Sequence, residues 1–344
     1  MTENTTSRSI LSLASVRSVP RRFVAWLAAQ NSFVIMSVFF ALGFLADRTP
    51  ALEPVDWMFF LAGGLLPIVL ATVSTDEDGY DHDISNDARV KFVVSQLLFA
   101  ITPWGILTQV LQVVGTVTAY LRYLGRLPNR DRHVPETTLT LPFDGEWSTV
   151  NGGVTKHTSH SWGIVSQRYA YDFVRTDDDG DTYDGDGDDL TDYYAFGVPI
   201  RAPADGTVVA TKDSLRDYPR PGTGLVEWRT WDITGNHVVI RHEDGEYSLL
   251  AHLKRDSVTV GPGDEVERGQ VVAACGNSGI STEPHLHFQI QDRQNFWFAA
   301  GLVPRFADTA ITREDDQRAD HAVYDDDHEG LYLWAGDRVA PARS

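Results

Sequence analysis

Two histidines lie two residues apart in Pro284-His285-Leu286-His287-Phe288, inside a longer run from Ser281 to Gln291. Strand side chains alternate between faces, so His285, His287 and Gln289 share one face and Leu286, Phe288 and Ile290 the other. That sets two imidazoles side by side with an apolar anchor behind them. Imidazole is the commonest protein metal ligand and a general acid or base near neutral pH. Three further places carry matching chemistry. His252 lies in Tyr247-Ser248-Leu249-Leu250-Ala251-His252-Leu253, where alternation groups Ser248, Leu250 and His252 on one face. Asp172 lies in Tyr169-Ala170-Tyr171-Asp172-Phe173-Val174, and a carboxylate in such company is costly to bury unless it is paired or binds a metal. His157 and His160 precede it in Lys156-His157-Thr158-Ser159-His160-Ser161-Trp162-Gly163.

Two histidines and one aspartate form a common open zinc site that keeps a position for water. Zinc lowers the pKa of that water towards neutrality and polarises a carbonyl. Histidines outside the ligand set are then available to orient the water and to stabilise an oxyanion. A lone strand histidine is more often structural than catalytic, so the chemistry rests on the group and not on any single member.

The elements that must position these residues begin after Pro128-Asn129-Arg130. Short β-forming segments alternate there with Gly, Pro, Asp and Asn. Candidate strands are 139–141, 168–175, 206–212, 237–242, 247–253, 270–275 and 285–291. Their spacing predicts a mainly β fold, an antiparallel sheet or barrel-like sandwich, in place of alternating strands and helices. The acidic, glycine-rich stretch 177–192 has Asp/Gly spacing that resembles a calcium loop. It lacks the terminal bidentate Glu and reads as a solvated loop. Residues 213–232 read as a long surface loop near the site. The tail beyond 309 is acidic and loop-like, with a strand or turn around 331–334.

Composition narrows the function classes. A net charge of -19 and an abundance of Asp argue against binding a phosphate backbone, so no nucleic-acid partner is expected. Lys91, Lys156, Lys212 and Lys254 are the only lysines among 29 basic residues. An acidic, arginine-over-lysine surface fits a protein kept hydrated in high salt, a halophilic composition. Cys275 is the sole cysteine, which excludes an intrachain disulfide.

The first 125 residues read differently. The runs 23–45, 57–73 and 92–121 are apolar, and about 20 such residues cross a hydrocarbon core. The last run is long enough to be one tilted helix or a hairpin turning at Thr102-Pro103-Trp104-Gly105. Arg8, Arg17, Arg21 and Arg22 precede the first run and place the N-terminus in the cytoplasm. Three spans put the C-terminal region outside. Four put it inside, which Arg122, Arg126, Arg130 and Arg132 after the last span would favour.

The β-rich part resembles the M23 metallopeptidases, the lysostaphin/LytM-type endopeptidases. The segments that carry the resemblance run in the family's order. They are Ala202-Pro203-Ala204-Asp205-Gly206-Thr207-Val208-Val209, Gly235-Asn236-His237-Val238-Val239-Ile240 and the Tyr247 to Leu253 strand. Val260-Gly261-Pro262-Gly263-Asp264-Glu265-Val266, Arg268-Gly269-Gln270 and Gly276-Asn277-Ser278-Gly279 follow, leading to Pro284-His285-Leu286-His287-Phe288. The resemblance implies a zinc endopeptidase on a compact antiparallel β scaffold, holding one Zn2+. It implies His287 and Asp172 as metal ligands, with His285 and His252 acting on the water and the transition state. The chain departs from the family's HxxxD pattern, because Arg168 stands four residues before Asp172. His160 is taken as the replacing ligand, with His157 as the second candidate.

The expected organisation is a cytoplasmic tail at 1–22, a transmembrane region at 23–125, a peptidase domain at 135–305 and an acidic tail at 306–344. The expected function is a membrane-anchored zinc metalloendopeptidase acting on a cell-envelope or surface polypeptide. Its partners are that peptide substrate and the lipid bilayer. It is expected in the cell membrane as a multi-pass protein with the peptidase domain outside, where such substrates lie. A non-catalytic binding or scaffold module of the same fold is the alternative. A lipoyl- or biotinyl-type carrier, whose hairpin pattern Gly261 to Gly279 resembles, is discounted, because its hairpin tip needs an exposed lysine and none lies between Arg255 and Ser281.

Overall fold

β-Branched and aromatic residues with apolar alternation favour strands that bury one face, and such runs after residue 135 pair into one antiparallel sheet. In this computed structural model the strands are β1 (Trp147–Asn151), β2 (Tyr171–Val174), β3 (Pro199–Arg201), β4 (Gly206–Lys212), β5 (Asn236–Arg241), β6 (Tyr247–Leu253), β7 (Glu265–Val266), β8 (Val271–Ala274), β9 (Leu286–Gln291), β10 (Gly301–Leu302), β11 (Thr309–Arg313) and β12 (Asp337–Pro341). The structure describes isolated positions between 39 and 58, and residues 86–342 apart from 134, 157, 160, 243–244 and 314–331. The large sheet runs β11-β12-β1-β2-β9-β6-β5-β4-β7, with β10 also on β9, while β3 and β8 pair separately. Every pairing along the large sheet is antiparallel, so the mainly β expectation holds.

The core lies on one face of this sheet. Tyr171 and Phe173 of β2, Leu250 of β6 and Leu286, Phe288 and Ile290 of β9 belong to one buried cluster with Trp147, Val238, Ile240 and Phe306. Burying each large apolar side chain contributes about 1.5–3 kcal/mol. β9 is buried at all six positions, so its opposite face is covered too. That second face is where His287 and Gln289 stand.

The expected strands 206–212 and 247–253 coincide with β4 and β6. The expected strand 168–175 shortens to β2, because a turn closed by Ala170 N donating to Gln167 O occupies its first residues. Leu139 makes only an isolated bridge to Phe306. β11 and β12 carry the sheet past residue 305, into what reads in sequence as a loop-like tail.

The chain forms two compact units, Met1–Glu77 and Asp78–Ser344. The apolar runs 23–45 and 57–73 belong to the first and lie almost wholly outside the described residues. The run 92–121 falls in two helices of the second unit, α1 (Asn86–Ala100) and α2 (Pro103–Arg122). Proline disfavours helical backbone in the residue before it. Thr102 accordingly adopts φ -72°, ψ 155° and caps α2, its hydroxyl accepting from Gly105 N. α2 turns Gly105, Thr108, Gly115 and Ala119 inward. A Cβ on Gly115 would stand 1.7 Å from the Trp297 carbonyl oxygen, so the helix rests directly on that segment. Arg122 ties its end down, pairing with Asp292 and donating to Phe298 O at 2.7 Å. Ile106, Val110, Val114, Val117 and Leu121 remain exposed on α2. Among the described residues, α2 is the one helix long and apolar enough to cross a membrane.

Candidate metal centre and catalytic site

The register of β2 on β9 sets Asp172 directly opposite His287. Directly opposed residues share a face, so both project away from the core while Tyr171, Phe173, Leu286 and Phe288 fill it. Asp172 Oδ1 and His287 Nδ1 are 2.8 Å apart. The other carboxylate oxygen accepts from Asn151 Nδ2 at 3.0 Å, β1 supplying that amide from the far side. His285 stands one residue before β9, its Nε2 3.8 Å from the same Asp172 Oδ1. Its Nδ1 lies 2.9 Å from the Glu283 carbonyl and 3.1 Å from Ser281 Oγ. A carbonyl only accepts, so Nδ1 carries the hydrogen and Nε2 offers a lone pair to the site.

His252 reaches the site by a backbone device. The β6–β9 register sets Ala251 opposite His287 and Leu250 opposite Phe288. Strict alternation would send His252 towards the core with Leu250, the grouping expected from sequence. The structure corrects this. His252 has φ +59°, and its ring lies 4.7 Å from that of His285 and 5.7 Å from that of His287. A left-handed non-glycine residue costs about 1–3 kcal/mol and persists only where its surroundings over-determine it. Here His252 N donates to Thr234 O at 3.0 Å, its carbonyl accepts from Gly276 N at 3.1 Å, and Nδ1 sits 2.8 Å from Ser278 O. The two loops supplying those carbonyls meet closely because Gly235 and Gly279 lack side chains. Gly279 has φ +81°, and a Cβ there would lie 2.4 Å from Gly235 N.

The two buried imidazoles differ electrically. Burial, reinforced by the neighbouring His285 and His287, holds the His252 pKa well below its ordinary value, so this ring is neutral. Burial also lowers that of His287, but the hydrogen bond and charge of Asp172, with the Gln289 bond, more than offset it and the pKa is raised. The Asp172–His287 pair therefore shares a proton readily, and a divalent cation is the other species able to sit between a carboxylate and an imidazole lone pair.

Of the residues singled out in sequence, Asp172, His252, His285 and His287 come together. His157 and His160 lie outside the described residues. Among the described residues, no group of three or more His, Cys, Asp or Glu side chains is arranged to hold a metal. Arg168 is held elsewhere, its Nε donating to Trp162 O at 3.1 Å and its guanidinium 5.3 Å over the Trp162 ring. Sequence reading missed Asn151 as a site residue. It noted Gln289 only as a neighbour on the histidine face.

Residues 189–297 match peptidase family M23. The matched stretch includes His252, His285 and His287, and Asp172 lies upstream of it. An uncharacterized metalloprotease of Haemophilus influenzae is 34% identical over 93 residues, 27% of this chain and 16% of that protein. DD-carboxypeptidase/endopeptidase Mpg of Neisseria meningitidis serogroup B is 37% identical over 99 residues, 28% of this chain and 18% of its own. Peptidoglycan DD-endopeptidase ShyA of Vibrio cholerae is 33% identical over 95 residues, 28% of this chain and 18% of its own. The chain thus spans less than a fifth of the length of these relatives.

Proposed function

We propose that this protein is a membrane-attached zinc endopeptidase that hydrolyses peptide bonds in a cell-envelope or surface polypeptide. The observation that carries the reading is the convergence of His252 and His285 on the Asp172–His287 pair at the covered face of β9. A carboxylate and an imidazole lone pair suit zinc, and Asp172 and His287 would hold it with His160 as third ligand. Zinc bound there would supply a water acidified towards neutrality and a positive charge to polarise the scissile carbonyl.

The remaining steps belong to the side chains. With Nδ1–H donated to Ser278 O, His252 presents a neutral Nε2 suited to take a proton from the attacking water. His285, with Nδ1 engaged by Glu283 O, presents its Nε2 from the same side. The ring that has gained a proton becomes a donor, able to stabilise the tetrahedral oxygen and then to protonate the leaving amine.

Membrane attachment is supported by the apolar runs 23–45 and 57–73 and by the exposed apolar side chains of α2. The arginines before the first run favour a cytoplasmic N-terminus, and an envelope substrate favours a peptidase outside the membrane. One named relative is a peptidoglycan DD-endopeptidase, the others a DD-carboxypeptidase/endopeptidase and a metalloprotease, which makes a peptide cross-link or surface protein the substrate class to test first.

The test is cleavage by the purified full-length chain of peptidoglycan and of envelope protein fractions, read as new peptide termini by mass spectrometry. Cleavage abolished by a chelator, restored by zinc and missing in His285→Ala is expected. Cleavage that ignores the chelator, or no product from either fraction, contradicts the proposal. Protease digestion of intact cells should remove the C-terminal domain, and its protection would place the domain on the other side.

A further inference from the structure

We propose that Gln289 is a positioning residue that fixes which nitrogen of His287 meets the metal; this rests on the reading of Asp172 and His287 as metal ligands. His287, Gln289 and Gln291 follow one another on the outer face of β9, and Gln289 is only 1% exposed. Its amide cannot be turned freely. Nε2 donates to the Ser166 carbonyl at 3.1 Å, and a carbonyl oxygen accepts and never donates. The same Nε2 donates to Gln291 Oε1 at 2.6 Å. The Gln291 amide is set in the same way, its Nε2 donating to Arg293 O at 2.9 Å and Gln294 O at 3.2 Å. Both amides are thus oriented by backbone carbonyls, one in the turn before β2 and two in the loop after β9.

The consequence falls on His287. With Nε2 of Gln289 committed to Ser166, its Oε1 faces His287 Nε2 at 3.0 Å. An acceptor there requires His287 Nε2 to carry hydrogen. Nδ1 is then the atom left to bind, and it is Nδ1 that faces Asp172 Oδ1 at 2.8 Å. The file of amides selects the tautomer and fixes the ring about its χ angles, the service that outer hydrogen bonds give to metal-bound histidines. A buried glutamine that served packing alone would be replaceable by an isosteric apolar side chain with no effect on metal binding.

That contrast sets the experiment. The full-length chain is stripped of metal, and Zn2+ affinity is measured by competition with a chromogenic chelator. The visible spectrum of the Co2+-loaded protein reports the ligand geometry. Gln289→Met, which keeps the volume and loses the acceptor, should lose about 10–100-fold in affinity and change the Co2+ spectrum. In ring-nitrogen NMR of the Zn2+-loaded unsubstituted protein, His287 should carry hydrogen on Nε2 and bind through Nδ1. Unchanged affinity and an unchanged Co2+ spectrum in Gln289→Met would overturn the inference while leaving the metal site standing. If the unsubstituted chain itself binds no metal, the proposed function falls and takes this inference with it. Should Gln289→Met fail to fold, the ring-nitrogen NMR of the unsubstituted protein decides alone, and a His287 bound through Nε2 overturns the inference.

Discussion

Asp172 Oδ1 and His287 Nδ1 stand 2.8 Å apart on directly opposed positions of β2 and β9. In the metal-free protein this contact makes a pH signature. The His287 pKa is raised in the fold, because Asp172 and Gln289 outweigh the effect of burial. The folded chain therefore holds a proton that the unfolded chain releases above a pKa of about 6.5. The stabilisation is complete below that value and is lost as pH rises through the raised folded pKa. Denaturant unfolding of metal-free wild type and His287→Gln across this range should show a difference that shrinks with rising pH. A difference that grows with pH would contradict the pairing.

His252 and His285 should separate from the ligands by their phenotype. Neither replaces Asp172 or His287 in the 2.8 Å contact, and both have Nδ1 engaged by a backbone carbonyl. His252→Ala and His285→Ala should therefore keep metal and lose about 10²–10⁴-fold in turnover, the range that one positioned acid or base supplies. Metal content by elemental analysis, beside peptide-cleavage rates, checks this. Loss of metal from either variant would move that histidine into the ligand set.

Gly279 tests the device that brings His252 to the site. It has φ +81°, and any Cβ would press on Gly235 N at 2.4 Å. Gly279→Ala should cost about 1–3 kcal/mol in denaturant unfolding, from strained backbone alone. Because Ser278 O and Thr234 O hold His252, turnover should fall further than metal content does. A variant that loses stability but keeps full turnover would show that the loop contact does not set the His252 ring.

Several of these features are legible in the sequence, and the reasons differ. β4 and β6 coincide with their expected limits because apolar alternation is a local signal. The HxH pair shows itself by spacing, and its split into apolar and polar faces on β9 follows from strand geometry. The face taken by His252 does not follow, because a single left-handed residue reverses the alternation and its cause lies in loops far along the chain. Asn151 and Ser166 act through contacts 21 and 123 residues away, for which no local pattern exists. β11 and β12 become strands by pairing with each other and with β1. The division of the 92–121 run at Thr102 was foreshadowed by Pro103, whose ring restricts the residue before it.

The central claim is that Asp172 and His287 hold zinc, and metal stoichiometry tests it most directly. Elemental analysis of the purified full-length chain should find one zinc per chain. Asp172→Ala and His287→Ala should each lose it while remaining folded by circular dichroism. Wild type without stoichiometric zinc, or both variants retaining it, would contradict the account.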